Sequence, residues 1–181
     1  MGRNGDYRII FLGPGGAGKT SAVTALSDIA PTRVDHVAAA DRGRQLATTL
    51  TMDYGLVHLG EVATIHLHGT QGQPAFDAMD DLVAQGIVGL VLLIDNTRPD
   101  PLGDLRFFLD GCLRFISRAD VVVGITRTDL RPYPMMEDYY RELETLGISS
   151  TPILEVDARS RKDVSLLVEA LLCSADPLAG Y

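Results

Sequence analysis

One glycine-rich run near the N-terminus combines a lysine and a hydroxyl group at the spacing GxxxxGK[ST]. Glycines let the backbone turn successive N–H groups inward around an anion. The lysine can reach the outer phosphates of a polyphosphate, and the threonine hydroxyl is a suitable ligand for Mg²⁺. The pattern therefore predicts a phosphate-binding loop. The residues expected at the phosphates are Gly13, Gly15, Gly16, Ala17, Gly18, Lys19, Thr20 and Ser21.

The segments on either side of this loop fit the prediction. Tyr7 to Leu12 is a short apolar run typical of a buried strand, and Lys19 to Asp28 has the periodicity of a helix that ends near Pro31. The loop would thus join a strand to a helix N-terminus, whose partial positive charge favours an anion. We expect a nucleotide to place its phosphates here.

Further apolar runs predict alternating strands and helices along the rest of the chain. Residues 31 to 53 are polar and predict an irregular stretch, too long for an ordinary connection. Strands are expected at Tyr54–Leu59 and Val62–His68, joined by a hairpin at Gly60-Glu61, and at Ile87–Ile94, Ala119–Thr126 and Pro152–Val156. Helices are expected near residues 102–117, 134–146 and 161–173. The order predicts an α/β fold with a doubly wound, mostly parallel sheet and one antiparallel edge strand.

The length, charge and hydropathy of the chain limit the number of domains and the kinds of partner that we expect. A length of 181 residues predicts a single domain spanning 1–181, and a net charge of −8 opposes nonspecific binding to nucleic acid. Two distant cysteines and a polar N-terminus are typical of a cytoplasmic protein. The longest apolar run, Ile87 to Ile94, is well below the roughly 18 residues that cross a bilayer. We expect no membrane insertion, so any membrane recruitment would come from a partner.

A second polar segment, residues 68–73, directly follows a predicted strand. At this distance from the phosphate loop, Ras-like GTPases carry Asp-x-x-Gly-Gln. Gly72 is expected to give the γ-phosphate an N–H group, and Gln73 to orient the attacking water as the catalytic residue. The acidic position is Gly69, which cannot hold a magnesium-bound water. A carboxylate for the metal must therefore come from another position.

Two aspartates are candidates for that carboxylate. Asp53 lies at the open end of the hairpin, and across a two-residue turn it would lie nearly opposite His68. Asp95 ends the apolar run 90–94 and is followed by Asn96, where many ATPases have a glutamate base. We favour Asp53 and keep Asp95 as the alternative. The metal ligands predicted from these residues are Thr20 and Asp53.

Two strand-end segments carry groups suited to a purine base. Asp129 can accept hydrogen bonds from guanine N1–H and the 2-amino group, whereas adenine offers no such pair of donors. Arg127 can lie along the base, and Thr126 takes the position where GTPases have an asparagine. Asp157-Ala158-Arg159 follows the last predicted strand, where Ser-Ala-Lys would give the base a backbone contact. These segments predict a guanine nucleotide, GTP or GDP, held with Mg²⁺.

Over nearly its whole length the chain resembles the bacterial Ras-like small GTPases, particularly the gliding-motility polarity GTPase and the conservon-encoded GTPases of actinobacteria. The most specific segments are the phosphate loop, residues 48–55, 69–73 and 157–159. In that family the aspartate replaced by Gly69 is commonly missing. The resemblance implies a P-loop NTPase fold and a slow GTPase regulated by roadblock-domain partners.

The resemblance also implies roles in the segment before the hairpin. Thr49 would be the switch threonine that closes on Mg²⁺ and the γ-phosphate. The gliding GTPase has an arginine finger directly before that threonine, and this chain has Thr48 there, with Arg42 and Arg44 nearby. An arginine finger contributes roughly 10³ to 10⁵ in rate, so hydrolysis is expected to be very slow without a partner.

Three functions remain open from the sequence. The first is a slow GTPase switch in which GTP orders residues 31–53 and the segment after Gln73. The second is a nucleotide-dependent scaffold with little hydrolysis, and single-turnover phosphate release in Gln73→Ala would separate it from the first. The third is a nucleotide kinase, which needs clustered arginines, whereas Arg98, Arg106, Arg114 and Arg118 are spread out.

Overall fold

The apolar runs of the sequence form the interior strands of one sheet. The computed structural model describes residues 5–37, 49–60, 63–71, 89–116 and 120–175. Within these ranges the strands are β1 (Gly5–Leu12), β2 (Thr32–Val37), β3 (Thr49–Leu59), β4 (Ala63–Thr70), β5 (Gly89–Asp95), β6 (Asp120–Thr126) and β7 (Ile153–Val156). The helices in the same ranges are α1 (Lys19–Leu26), α2 (Pro101–Ile116), α3 (Met136–Thr145) and α4 (Arg161–Ala175).

The sheet has the strand order β2-β3-β4-β1-β5-β6-β7. β3 runs antiparallel to both of its neighbours, and the pairs from β4 to β7 are all parallel. The prediction of an α/β fold with a mostly parallel sheet is therefore confirmed. Loops at the carboxyl ends of β1, β5, β6 and β7 consequently meet at one edge of the sheet.

The position of the antiparallel strand differs from the prediction. Residues 31–53 are not irregular throughout, because β2 occupies 32–37 and β3 already begins at Thr49. β2 covers the edge, so the antiparallel strand is second from the edge. The polar composition of 32–37 concealed this strand, yet polar residues are usual on an exposed edge, and Val34 still packs against the core.

Two apolar layers cover the two faces of the sheet. On β5, alternate residues Leu90, Leu92 and Ile94 pack with residues of α2 and α3, while Val91 and Leu93 pack with residues of α1 and α4. Every residue of β5 is buried. A continuous apolar run is the expected pattern for a strand covered by helices on both faces. The buried centre of the sheet thus positions the loops that carry the polar residues.

None of the helices in the described ranges is long and apolar enough to cross a bilayer.

Candidate functional site

Among the hollows at the carboxyl edge of the sheet, where sites of doubly wound proteins are usually found, two are lined by the glycine-rich loop. The larger has a volume of about 500 Å³ and the smaller about 290 Å³. Gly18, Ser21 and Arg127 line both, so the hollows adjoin. The larger is also lined by Ala17, Thr126, Thr128, Asp129, Asp157, Ala158 and Arg159. The smaller is also lined by Gly15, Gly16, Lys19, Thr20, Thr70 and Gln71.

Glycine is required at two positions of the loop 13–20 for steric reasons. Gly13 has φ 135°, and a Cβ there would lie 2.0 Å from the backbone oxygen of Leu93. Gly18 has φ 102° at the start of α1, and a Cβ there would lie 2.7 Å from the Cβ of Ala158. The loop is therefore pressed against β5 on one side and against the segment after β7 on the other.

Lys19 is buried within this loop and is 6% exposed. Its ammonium donates hydrogen bonds to the backbone oxygens of Gly13 at 2.8 Å and Pro14 at 2.7 Å. Burial lowers its pKa to about 8, an effect that Asp53 partly offsets and Arg98 reinforces. The loop therefore holds a desolvated cation, for which an anion would be a better partner than neutral carbonyl oxygens.

A buried carboxylate faces the first turn of α1. Asp53 is 5% exposed, and its Oδ2 accepts a 2.5 Å hydrogen bond from the Thr20 hydroxyl. Its Oδ1 accepts a 3.0 Å hydrogen bond from the Gln71 side chain. Hydroxyl and carboxylate oxygens are the ligands that Mg²⁺ prefers in proteins, so the chemistry of this pair fits that cation.

The register of the hairpin explains how Asp53 reaches this place. Leu59 pairs with Ala63, so three residues connect β3 and β4 rather than two. Asp53 therefore lies opposite Gly69, and Tyr54 opposite His68. The prediction placed Asp53 nearly opposite His68, and the observed partner is one residue further along the chain. A Cβ on Gly69 would lie 3.6 Å from the Cβ of Asp53, so Asp53 supplies a carboxylate beside the position where the chain lacks one.

The hydrogen-bond partners of Asp95 are residues other than Thr20. The Asp95 Oδ1 accepts hydrogen bonds from the Thr97 backbone N–H at 2.9 Å and hydroxyl at 2.6 Å, and its Oδ2 pairs with Arg127. Asp95 thus shapes the turn after β5 and holds Arg127. In the described ranges the geometry groups Thr20 with Asp53 and not with Asp95.

The segment after β6 lines the larger hollow. Arg127 has φ 59°, a left-handed conformation that is uncommon for a residue with a side chain, and the ion pair with Asp95 holds its guanidinium. The Thr126 hydroxyl donates at 3.2 Å to the backbone oxygen of Ala17 or Ile94. Thr126 therefore ties β6 to the glycine-rich loop. Asp129 is exposed on the wall of the hollow.

The segment after β7 forms the opposite wall. Ala158 is 7% exposed and packs on Gly18. The Arg159 guanidinium holds the Asp157 carboxylate at 2.9 Å through two hydrogen bonds and lowers the pKa of Asp157 to about 2. The Asp157 side chain is thus engaged with Arg159, while its backbone N–H donates to Asp163 at 2.9 Å.

Of the predicted residues that the structure describes, Thr49 is not brought into this group. Thr49 begins β3, and four residues at about 3.3 Å each put its backbone roughly 13 Å along the strand from Asp53. Gly72 and Gln73 lie outside the described residues, as do Arg42 and Arg44. Their roles stay predictions from the sequence.

Two polar residues in or beside the site were missed as functional residues. Gln71 bonds Asp53, and strand alternation from Gly69 could have indicated it, since residues 69 and 71 share a face. Asn96 is fully buried after β5. The one indication of Asn96 in the sequence was a polar residue just after an apolar run.

Comparison of the sequence with known protein families and with curated proteins found no significant match to either.

Proposed function

We propose that the protein is a Ras-like small GTP-binding protein of the P-loop class, a switch that hydrolyses GTP slowly. One observation carries the proposal: a hollow lined by the glycine-rich loop and its buried Lys19 adjoins a second hollow whose wall carries Asp129. The first suits phosphates and the second suits a purine. The linked pair has the shape expected of a nucleotide site at a topological switch point.

Residues 13–20 would hold the phosphates. Backbone N–H groups of the loop and the N-terminus of α1 favour negative charge at the same place. The Lys19 ammonium would exchange its carbonyl partners for phosphate oxygens. Ser21 follows on the first turn of α1 and lines both hollows.

Thr20 and Asp53 would hold Mg²⁺, which when bound neutralises phosphate charge. Protein sites for this cation usually use one or two carboxylates with substrate phosphates and water. A single buried carboxylate beside one hydroxyl is therefore a sufficient protein contribution. Among the described residues no group of three His, Cys, Asp or Glu side chains is placed to bind a metal ion, which does not conflict with so sparse a site.

Asp129 would select the base. Its carboxylate accepts hydrogen bonds only, which matches the N1–H and 2-amino donors of guanine. Arg127 would lie along the base with its guanidinium held by Asp95, and Ala158 would contribute a backbone contact. Asp157 and Arg159 would form the outer wall.

Hydrolysis would depend on Gln73, with a very slow rate in the absence of an arginine supplied by the chain or by a partner. Roadblock-domain regulators are the partners that the sequence resemblance implies. The kinase alternative gains no support from the described arginines. Arg98 pairs with Asp104 and Arg106 with Glu142, so neither is left to bind an acceptor phosphate.

A competition assay tests the proposal directly. Purified protein loaded with a fluorescent GDP analogue in Mg²⁺ should release it to unlabelled GTP or GDP, and at least 100-fold less readily to ATP. The ratio follows from two lost hydrogen bonds to a carboxylate, each about 1.5 kcal/mol or more. Equal competition by ATP, or none by either nucleotide, would refute guanine-nucleotide binding.

The buried Lys19 predicts how affinity depends on pH. Phosphates would raise its pKa from about 8, so binding takes up a proton above that pH. Affinity should be full below about pH 8 and then decline by at most ~tenfold per pH unit. Titration calorimetry of GTP between about pH 7 and pH 9 measures the change and the proton uptake.

The control for this prediction is Lys19→Arg. The arginine guanidinium stays charged, so the part of the decline in GTP affinity with pH that is due to residue 19 should vanish. Only the part due to titration of the guanine base should remain. The pH dependence of folding stability without nucleotide has the opposite sign to that of nucleotide affinity. The folded chain binds fewer protons than the unfolded chain between about 8 and 10.5, so stability should rise across that window. Identical affinity slopes in the two proteins would contradict the assignment.

A further inference from the structure

A buried polar group joins the end of β5 to the loop that carries Asp129. Asn96 is 0% exposed, and its amide nitrogen donates to the backbone oxygens of Arg131 at 2.6 Å and Pro134 at 3.3 Å. Its amide oxygen accepts a 2.6 Å hydrogen bond from the Tyr139 hydroxyl on α3. One side chain thus connects the sheet, helix α3 and the loop 127–135.

The Arg127 guanidinium attaches the start of this loop to the end of β5 through its ion pair with Asp95. Leu130 and Tyr133 are 69% and 63% exposed, so their side chains contribute little packing. The Arg131 guanidinium donates to the backbone oxygen of Arg98 at 2.5 Å, which ties the loop to the turn after β5. Among these attachments, the one through Asn96 is made by a fully buried side chain and holds the second half of the loop at Arg131 and Pro134.

Tyr139 defines the orientation of the Asn96 amide. It is 0% exposed, and burial raises its pKa, so its hydroxyl remains protonated and available as a donor. Because the Tyr139 hydroxyl donates a hydrogen bond, the Asn96 amide oxygen faces α3. The amide nitrogen of Asn96 then faces the backbone carbonyls of Arg131 and Pro134 in the loop. Buried networks of this kind hold one arrangement because each alternative leaves a polar atom unpaired.

We propose that Asn96 and Tyr139 are positioning residues for recognition of the base, because they fix the loop 127–135 and hence the Asp129 carboxylate. The inference rests on the proposed guanine-nucleotide function. Neither residue needs to touch the nucleotide. Their effect would reach the base through Asp129, whereas the phosphates are held by residues 13–20.

GTP and ITP form the pair of probes that isolates this effect. Both carry the same phosphates and the same N1–H, and ITP lacks the 2-amino group. The ratio of their dissociation constants therefore reports how well Asp129 meets that amino group. A residue that only stabilised the fold would change the amount of active protein and leave this ratio unaltered.

The test is Tyr139→Phe, which keeps the ring and removes the hydroxyl. Loss of the donor leaves the buried Asn96 oxygen unpaired, and we expect the preference for GTP over ITP to fall about threefold to tenfold. Competition against a fluorescent GDP analogue in Mg²⁺ measures both constants. Tyr140→Phe is the matched control, since that hydroxyl is next in sequence and its hydrogen bond, to the backbone oxygen of Ile153 at 3.4 Å, is outside the loop.

A second variant, Asn96→Asp, keeps an acceptor for Tyr139 and removes the donor to the loop, so it should lower the same ratio if Tyr139→Phe does not fold. An unchanged ratio in the folded variant, or an equal fall in Tyr140→Phe, would overturn the inference. Wild-type protein separates this failure from failure of the proposed function. If only this inference fails, the wild-type protein still prefers GTP to ITP. If the proposed function fails, it binds neither nucleotide or binds both equally.

Discussion

Asp129→Asn is expected to turn the proposed guanine-nucleotide site into one that prefers xanthine. The amide oxygen can still accept from N1–H, but the amide nitrogen now faces the guanine 2-amino group, so two donors oppose each other. In xanthine a 2-oxo group replaces the amino group and accepts from that amide. GTP affinity should fall roughly 100-fold, as expected when a carboxylate loses its hydrogen bonds to the base, while XTP affinity rises.

Competition of GTP and XTP for the same labelled nucleotide measures this exchange of preference. Asp157→Asn is the matched control, because it makes the same chemical change on the opposite wall of the larger hollow, where Arg159 holds the carboxylate. That variant should keep the wild-type preference. If Asp157→Asn, and not Asp129→Asn, favoured XTP, the base would be recognised from the other wall.

The interior of the fold was predictable because its strands are covered on both faces. β5 and β6 were expected within two residues of their observed limits, since a continuous apolar run has few other places to lie. β2 was missed for the opposite reason. All six of its residues pair with β3, and a pattern of polar residues in one segment does not reveal a partner in another.

The grouping of the candidate site residues was predictable to the extent that they lie in contiguous segments. The loop 13–20 and the segments 126–129 and 157–159 come together at one edge of the sheet, as parallel strands require. The Asn96 contacts could not be foreseen, because they join residues 35 to 43 positions apart. The exact partner of Asp53 was also beyond sequence reasoning, since one extra residue in the hairpin shifts every pair along β3 and β4.

The second large effect is expected from Asp53→Ala, which removes the one buried carboxylate at the Thr20 hydroxyl. Retention of GTP should lose most of its dependence on Mg²⁺, with the ratio of dissociation rates in EDTA and in Mg²⁺ falling about 10- to 100-fold. Stopped-flow release of a fluorescent GTP analogue measures both rates in one preparation. The ratio is internal to each variant, so a general loss of stability would not imitate the result.

Two further variants test whether the Mg²⁺ dependence requires a carboxylate at this position or only a negative charge nearby. Asp95→Ala removes a carboxylate that holds Arg127, so any effect on release should be equal with and without Mg²⁺. Asp53→Ala combined with Gly69→Asp moves the carboxylate across the β3–β4 pair to a site whose Cβ would lie 3.6 Å from the original one. It should restore part of the Mg²⁺ dependence, although Val23 Cγ2 at 3.2 Å from the new Cβ must give way. A stronger loss in Asp95→Ala than in Asp53→Ala would place the metal at the end of β5 instead, and Thr20 would then need a different partner.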